Sequence, residues 1–291
     1  MSDQPQPPPV IERVAVLAMQ LGHRHLADYG ATRSRHDFTQ RQLMACLVLR
    51  AYLKTTYRGL LDILSTSSGL RRELGLQEKL PHYTTLQKFS GRSQVVAIAQ
   101  KMVGEIGQAA AHASEGTAAA MDSTGLALGS ASEYFYMRKG KRPVRNWVKV
   151  SVMVFCGSLL PLGLVVDLGA SPDCKQAPAL LAQAQAVARP RRLYADAGYD
   201  AEWIHTHCRE QWKVESVIKP NLRRSGTLPP GTWRARMVPR HLHQRGYGRR
   251  WAVETFFSAL KRTMGSALQA RRPKQMLAEA AVRVLAYALR R

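Results

Sequence analysis

The chain has 291 residues and carries 43 Lys and Arg against 20 Asp and Glu, a formal charge of +23. This length suits two ordinary domains, or one large domain with appendages, and the apolar content is enough for a real core. So large a basic excess implies a polyanionic partner: nucleic acid leads, and a membrane surface fits less well because no long basic amphipathic helix stands out. No run approaches the length of a membrane span, and the amino terminus, Met-Ser-Asp-Gln-Pro-Gln-Pro-Pro-Pro, lacks the apolar core of a signal peptide. Cys46, Cys156, Cys174 and Cys208 form no CxxC pair, which argues against structural zinc or a disulfide scaffold and fits a reducing cytoplasm. The His-x-His pairs His23/His25, His205/His207 and His241/His243 read as surface or DNA-facing residues rather than metal ligands.

Residues 1–10 are rich in Pro and Gln, a composition that predicts disorder. A helical pattern runs from Ile11 to Ala27. A stronger one runs from His36 to Lys54, where Thr39 and Gln42 form a capping-box pattern ahead of Leu43, Met44, Leu47, Val48 and Ala51. Short helices are expected over Tyr57 to Leu64 and Leu70 to Leu74, with Ser65 to Gly69 as the turn between them. Another helix opens at Tyr83-Thr84-Thr85, with Thr84 and Gln87 as its capping box, and carries Gln87, Lys88 and nearby Arg92. Small helices so closely spaced suit a helix-turn-helix-like module in which Thr84, Thr85, Gln87 and Lys88 face DNA. A plain helical bundle that shapes a dimer is the other reading. The helix Ser93 to Ala111 then links this all-α region, residues 11–116, to the second half of the chain.

The character changes near residues 112–117, the expected domain boundary. Ala118 to Met121 is small and apolar, and Asp122 comes next with two hydroxyls after it, so the stretch reads as a buried strand with Asp122 at or near its end. Tyr134 to Lys149 holds six cations, Arg142 and Arg145 among them, and no acid. Trp147 to Phe155 and Leu160 to Leu168 read as two strands in a hairpin-like arrangement, split by Cys156-Gly157-Ser158. A helix is expected from about Gln176 to Ala188, with Pro178 tolerable only in its first turn. Arg192 to Asp196 is a short strand ending on a second carboxylate. Ala197 to Asp200 turns into a helix through Gln211, with Asp200 as its N-cap, and Val214 to Ile218 is a fifth strand. Pattern alone says mixed α/β.

From Pro220 to Arg250 there are eight arginines and no acidic residue. This stretch is too polar and too rich in Gly and Pro to be compact alone, and it is expected to order on a phosphate backbone; residues 220–246 read as a basic insertion. Tyr247 to Lys261 reads as one helix. At about 100° per residue, Tyr247, Arg250, Glu254 and Lys261 share a narrow polar stripe, while Val253, Phe256, Leu260 and Met264 make the packing face. Lys274 to Arg291 is a last amphipathic helix, carrying Met276, Leu277, Val282, Leu285 and Leu289.

The spacing Tyr-x2-Arg-x3-Glu-x6-Lys, from Tyr247 to Lys261, resembles the signature of bacterial insertion-sequence DDE transposases, and more narrowly of the group named after insertion sequence five. Asp196-Ala-Gly-Tyr-Asp200 is similar to the second motif of that family. The likeness is strong over residues 117–265 and weak before them. It implies a ribonuclease-H-like α/β catalytic core over residues 117–291, a mixed sheet flanked by helices, behind an all-α N-terminal domain. It implies that Asp122, Asp196 and Glu254 ligate two Mg²⁺ ions, with Mn²⁺ able to substitute. Tyr247, Arg250 and Lys261, with Arg245, Arg249, Arg142 and Arg145, would then contact DNA. The implied partners are double-stranded transposon ends and target DNA, bridged by a homodimer or higher oligomer in a bacterial cytoplasm.

The chemistry agrees with the resemblance. Cutting a phosphodiester needs an activated water, a stabilised 3′ oxygen and neutralised phosphoryl oxygens, and two divalent ions roughly 3.5–4 Å apart supply all three. A few convergent carboxylates on rigid elements give Mg²⁺ the hard oxygens it takes. Alone, each acid has a plain reading: Asp122 as a turn cap, Asp196 as a loop acid, Glu254 as a salt-bridged surface residue. Ser123 and Thr124 read as strand-end hydrogen-bonders, since no nearby base would activate them. A non-enzymatic DNA-binding protein, such as a domesticated relative or a repressor, needs only the basic surfaces and the N-terminal helices. A nuclease without strand transfer would share the acidic site.

Overall fold

The computed structural model describes residues 8–33, 35–112, 118–128, 138, 147–222 and 230–291. Helices come first: α1 (Val10–His25), α2 (Gln40–Tyr52), α3 (Tyr57–Thr66), α4 (Ser68–Glu73), α5 (Tyr83–Ser90) and α6 (Gln94–His112). The capping box of α2 forms in both directions. The Thr39 hydroxyl accepts from the Gln42 N–H, and Gln42 Oε1 accepts from the Thr39 N–H at 2.8 Å. The one expected at α5 does not form. Its N-cap is His82, whose ring lies 2.8 Å from the Thr84 hydroxyl, so Thr84 falls inside the helix.

The second half alternates strands and helices: β1 (Ala119–Leu128), β2 (Trp147–Phe155), β3 (Pro161–Leu168), α7 (Asp173–Val187), β4 (Arg192–Ala195), α8 (Glu202–Thr206), β5 (Glu215–Ile218), α9 (Pro239–Gln244), α10 (Trp251–Met264), β6 (Ala267–Leu268) and α11 (Pro273–Arg290). The sheet order is β3-β2-β1-β4-β5, with β6 pairing β1 off this path. β1, β2 and β3 are antiparallel, as a short turn between β2 and β3 requires. β4 and β5 run parallel to β1, each reached through a helix. Val148, Val150, Val152, Met153 and Val154 are fully buried because β2 is covered on both faces. On one face Leu180 and Leu181 of α7 and Ile204 of α8 cluster with Met121, Met153 and Leu193. On the other, Val253, Phe256 and Leu260 of α10 and Leu285 of α11 cluster with Ala120, Val150 and Val152. This is a ribonuclease-H-like mixed sheet flanked by helices, preceded by an all-helical region.

Four expectations change. β1 does not end at Asp122. Ser123 to Ala127 continue the ladder opposite β2, because the two hydroxyl residues are paired rather than terminal. The polar face of the last helix does not meet solvent: Ala278 to Leu289 are all buried, since α11 runs between the sheet and helices α2 and α6. Enclosed charge must be neutralised locally, and Glu279 and Arg283 pair at 2.6 Å. The basic segment, from Pro230 on, is anchored on the protein itself. Arg234 bonds Asp200 through two nitrogens, both at 2.8 Å, Glu202 accepts from the N–H groups of Trp233 and Arg234, and Arg245 Nε lies 3.0 Å from Glu215. Asp200 is accordingly not the N-cap of α8, a position held by Ala201. Residues 1–7 of the expected tail, 113–117 of the expected boundary, and Arg142, Arg145, Arg223 and Arg224 lie outside the described residues.

Candidate active site

The parallel register of β1 and β4 pairs Met121 with Ala195. The next residues are Asp122, still on β1, and Asp196, the first residue past the end of β4, close enough for the negative charge of Asp196 to act on Asp122. Asp122 accepts from the Ser123 N–H at 2.7 Å. Asp196 starts a 3₁₀ turn, Ala197–Tyr199, and accepts from the Gly198 N–H at 2.9 Å. Successive strand residues point to opposite faces, so Ser123 points away from Asp122. Its hydroxyl lies 2.6 Å from that of Ser151 and 2.8 Å from that of Tyr199, and Ser151 also bonds Gln176. This network ties β1, β2, α7 and the turn after Asp196 together behind the two aspartates.

Tyr247 to Lys261 is not a single α-helix. Tyr247–Arg250 is a 3₁₀ turn and α10 begins at Trp251. The packing face is as the periodicity predicts: Val253, Phe256, Leu260 and Met264 are buried. The Tyr247 hydroxyl donates to the carbonyl of Ala195 at 3.1 Å, one residue before Asp196. Reciprocally, the Tyr194 hydroxyl donates to the carbonyl of Arg245 at 2.8 Å. These two bonds fasten the turn ahead of α10 to β4. Arg250 bridges the acids, with Nη1 3.7 Å from Asp122 Oδ2 and Nη2 bonded to Glu254 Oε1. Glu254 is the more open of the two, its side chain 41% exposed against 18% for Asp122. Lys261 is half-buried two turns further on, about 10.5 Å along the axis, and in no ion pair among the described residues. Arg249 is exposed beside Trp251.

The electrostatics reflect this crowding. Burial pushes the Asp122 carboxyl up to about 6; Asp196 and Asp173 add repulsion, while the Ser123 N–H and Arg250 oppose it. Burial also raises Asp196, with Asp173 adding to it and the Gly198 N–H, Arg250 and Lys149 working against it. Asp173 escapes sequence reading. It is the first residue of α7 and lies 2.7 Å from the buried Lys149. An acid in the first turn of a helix is its only local signal, and a helix start placed at Gln176 hides it.

Two hard carboxylates held together against their own repulsion fit a divalent cation, whose charge would relieve that repulsion. Among the described residues no three His, Cys, Asp or Glu side chains converge as a metal-binding group. Glu254 is engaged by Arg250, and Asp173 by Lys149. The histidine pairs do not join the acids: His25 bonds Glu105 and the buried His205 lies 2.8 Å from the Ser216 hydroxyl. The N-terminal residues expected at DNA sit on α5, where Gln87 and Lys88 are exposed and Thr84 and Thr85 half-buried. α5 abuts the start of α11, where Gln275 donates to the Gln87 carbonyl at 2.8 Å.

The ribonuclease-H-like fold thus carries one acid on its first strand, one just past its fourth and one on a later helix. A family model described as Transposase DDE domain matches residues 113–289, more than half of the chain. The chain belongs to this family, the DDE transposases, which act on DNA and generally use divalent metal ions. No curated protein matches it. Among the described residues no helix is long and apolar enough to cross a membrane.

Proposed function

We propose that this chain is the transposase of a bacterial insertion sequence in the group named after insertion sequence five. It binds terminal inverted repeats, hydrolyses a strand to free a 3′-OH, and joins that end to target DNA by transesterification, acting as a homodimer or higher oligomer that bridges two ends. The observation that carries this reading is the placement of Asp122 and Asp196, each one residue beyond the Met121–Ala195 pair, next to Arg250 and Glu254. Asp122, Asp196 and Glu254 would hold two Mg²⁺ ions, or Mn²⁺ in their place, whose chemistry is activation of water and neutralisation of the phosphoryl and 3′ oxygens. For Glu254 to join the aspartates, its side chain must leave Arg250. The same movement frees the Arg250 guanidinium, whose flat donor fork suits a phosphate. Lys261 and Arg249 add cations along the same flank, and Tyr247 holds the turn through Ala195. Arg245 is shared with Glu215 and reaches DNA only with its exposed edge. On α5, Thr84, Thr85, Gln87 and Lys88 would read the repeat, and Arg142 and Arg145 would add phosphate contacts.

The test is nicking of a labelled terminal-repeat duplex with Mg²⁺ by wild type, Asp122→Ala, Asp196→Ala and Glu254→Gln. Each variant is expected to lose about 10³-fold or more in cleavage while still binding the duplex. Nicking that survives in Glu254→Gln overturns the assignment. One observation favours a second reading, a DNA-binding protein without catalysis: Glu254 is tied to Arg250 and no three-acid group converges among the described residues. In that case every form binds, none cleaves, and Glu254→Gln changes nothing.

A further inference from the structure

A groove of about 810 Å³ opens between α3 and α5 on one side and the junction of β6 with α11 on the other. Its lining includes Arg50, Arg271 and Arg272 and no carboxylate. Arg271 and Arg272 are exposed, and neither is in an ion pair among the described residues. Arg50 comes from α2 and is 7% exposed. Its guanidinium lies 4.3 Å from the Tyr57 ring centroid and donates to Gln269 at 2.9 Å, yet its buried Nε has no acceptor among the described residues. A buried charged N–H without a partner is costly, which leaves Arg50 a cation only partly satisfied beside the groove. The nearest acid, Glu279, is 3.9 Å from Arg50 and already pairs with Arg283 at 2.6 Å. It also accepts from the N–H groups of Gln269 and Ala270, which fixes the segment carrying Arg271 and Arg272.

The groove's position relates it to the acids. β6 pairs with β1 at Ala127, five residues beyond Asp122 on the same strand, or about 17 Å. That is about half a turn of B-form DNA.

We propose that this groove holds the sugar–phosphate backbone of duplex DNA about half a helical turn from Asp122. Arg50, Arg271 and Arg272 meet phosphate oxygens, and the exposed Gln87 of α5 faces the bases. The proposal rests on the transposase reading and adds a footprint to it. The footprint draws on the N-terminal helices and on the DDE-matched region together, so a DNA end seats on both at once.

The test measures binding of a fluorescein-labelled, mixed-sequence duplex of about three helical turns by anisotropy over a range of KCl. Compared are the full-length wild type, the double variant Arg271→Ala/Arg272→Ala, Arg50→Gln, and Arg13→Ala, an exposed arginine of α1. Each phosphate contact contributes about 0.9 to the slope of log affinity against log salt. The double variant is expected to lose about 1.8 of that slope and Arg50→Gln about 0.9, with Arg13→Ala unchanged. Circular dichroism verifies folding, and the double variant, which removes no buried group, keeps the test valid if Arg50→Gln misfolds. A wild-type slope in the folded double variant overturns the groove and leaves the transposase reading standing. Equal loss in Arg13→Ala shows a general charge effect and overturns it too. Wild-type protein that neither binds this duplex nor nicks a terminal-repeat duplex with Mg²⁺ overturns both.

Discussion

Asp122 carries the most opposed set of influences of any residue at the site. Burial comes first and lifts its carboxyl to about 6, well above the unfolded value near 3.9. Between those two values the native state holds a proton that the unfolded chain has released, so stability falls as pH rises from about 4 to about 6. Asp122→Asn removes that slope. In EDTA above pH about 6 the variant should be the more stable form, by about 3 kcal/mol, while below pH about 4 the two should coincide. Melting temperature measured across this range checks it, and parallel curves would show that Asp122 is not strained. If Asp122 holds the proposed divalent cation, protons compete for the same carboxyl, and Mg²⁺-dependent nicking should weaken on the acid side of about 6. Tyr247 gives a separate test. If its hydroxyl only supports the Ala195 carbonyl, Tyr247→Phe costs about 1 kcal/mol in stability and leaves duplex affinity unchanged. A change in affinity at constant stability would instead place the hydroxyl on DNA.

At the scale of elements, the site depends on a register and a turn. The β1–β4 register aligns the aspartates, and Gly198 makes the turn immediately after Asp196. A Cβ at Gly198 would lie 2.5 Å from Asp173 Oδ2 and 3.0 Å from Asp196 Oδ1, so both carboxylates must move. Gly198→Ala is expected to reduce cleavage at least tenfold with a loss of stability of only about 1–2 kcal/mol; unchanged cleavage would mean the acids tolerate displacement. These elements differ in how far the chain discloses them. The packing face of α10 and the capping box of α2 are legible because their signals recur within one or two turns. The nearness of Arg250 to Glu254 is legible too, because four residues along a helix bring two side chains onto one face. Asp173 is not, because its importance comes from Asp196 and Lys149, which are distant in the chain and near in space. The anchoring of Arg234 on Asp200, and of Arg245 on Glu215, is equally invisible locally. β6 has only two residues and exists because β1 offers an edge. α11 misleads for another reason: its polar positions suggest a solvent face, and only the helices packed over it make it a core element.

At the scale of the whole molecule, the N-terminal helices and one face of the sheet share a single apolar cluster through α11. The two halves should therefore unfold together. All five tryptophans lie between residues 147 and 251, so their fluorescence reports the α/β half, whereas circular dichroism at helical wavelengths reports both. Coincident thermal transitions by the two probes are expected, and Leu285→Ala, at a fully buried position, should shift both by an equal amount, equivalent to about 2–5 kcal/mol. Two separated transitions would show that the halves fold independently. The reciprocal bonds from Tyr194 to Arg245 and from Tyr247 to Ala195 carry a different consequence. Both are made to main-chain carbonyls, so neither specifies a side chain at the receiving position. They fix α10 against β4 regardless of how the chain travels from β5 to Arg245. Ala195 and Arg245 can therefore change side chain without loosening that fastening.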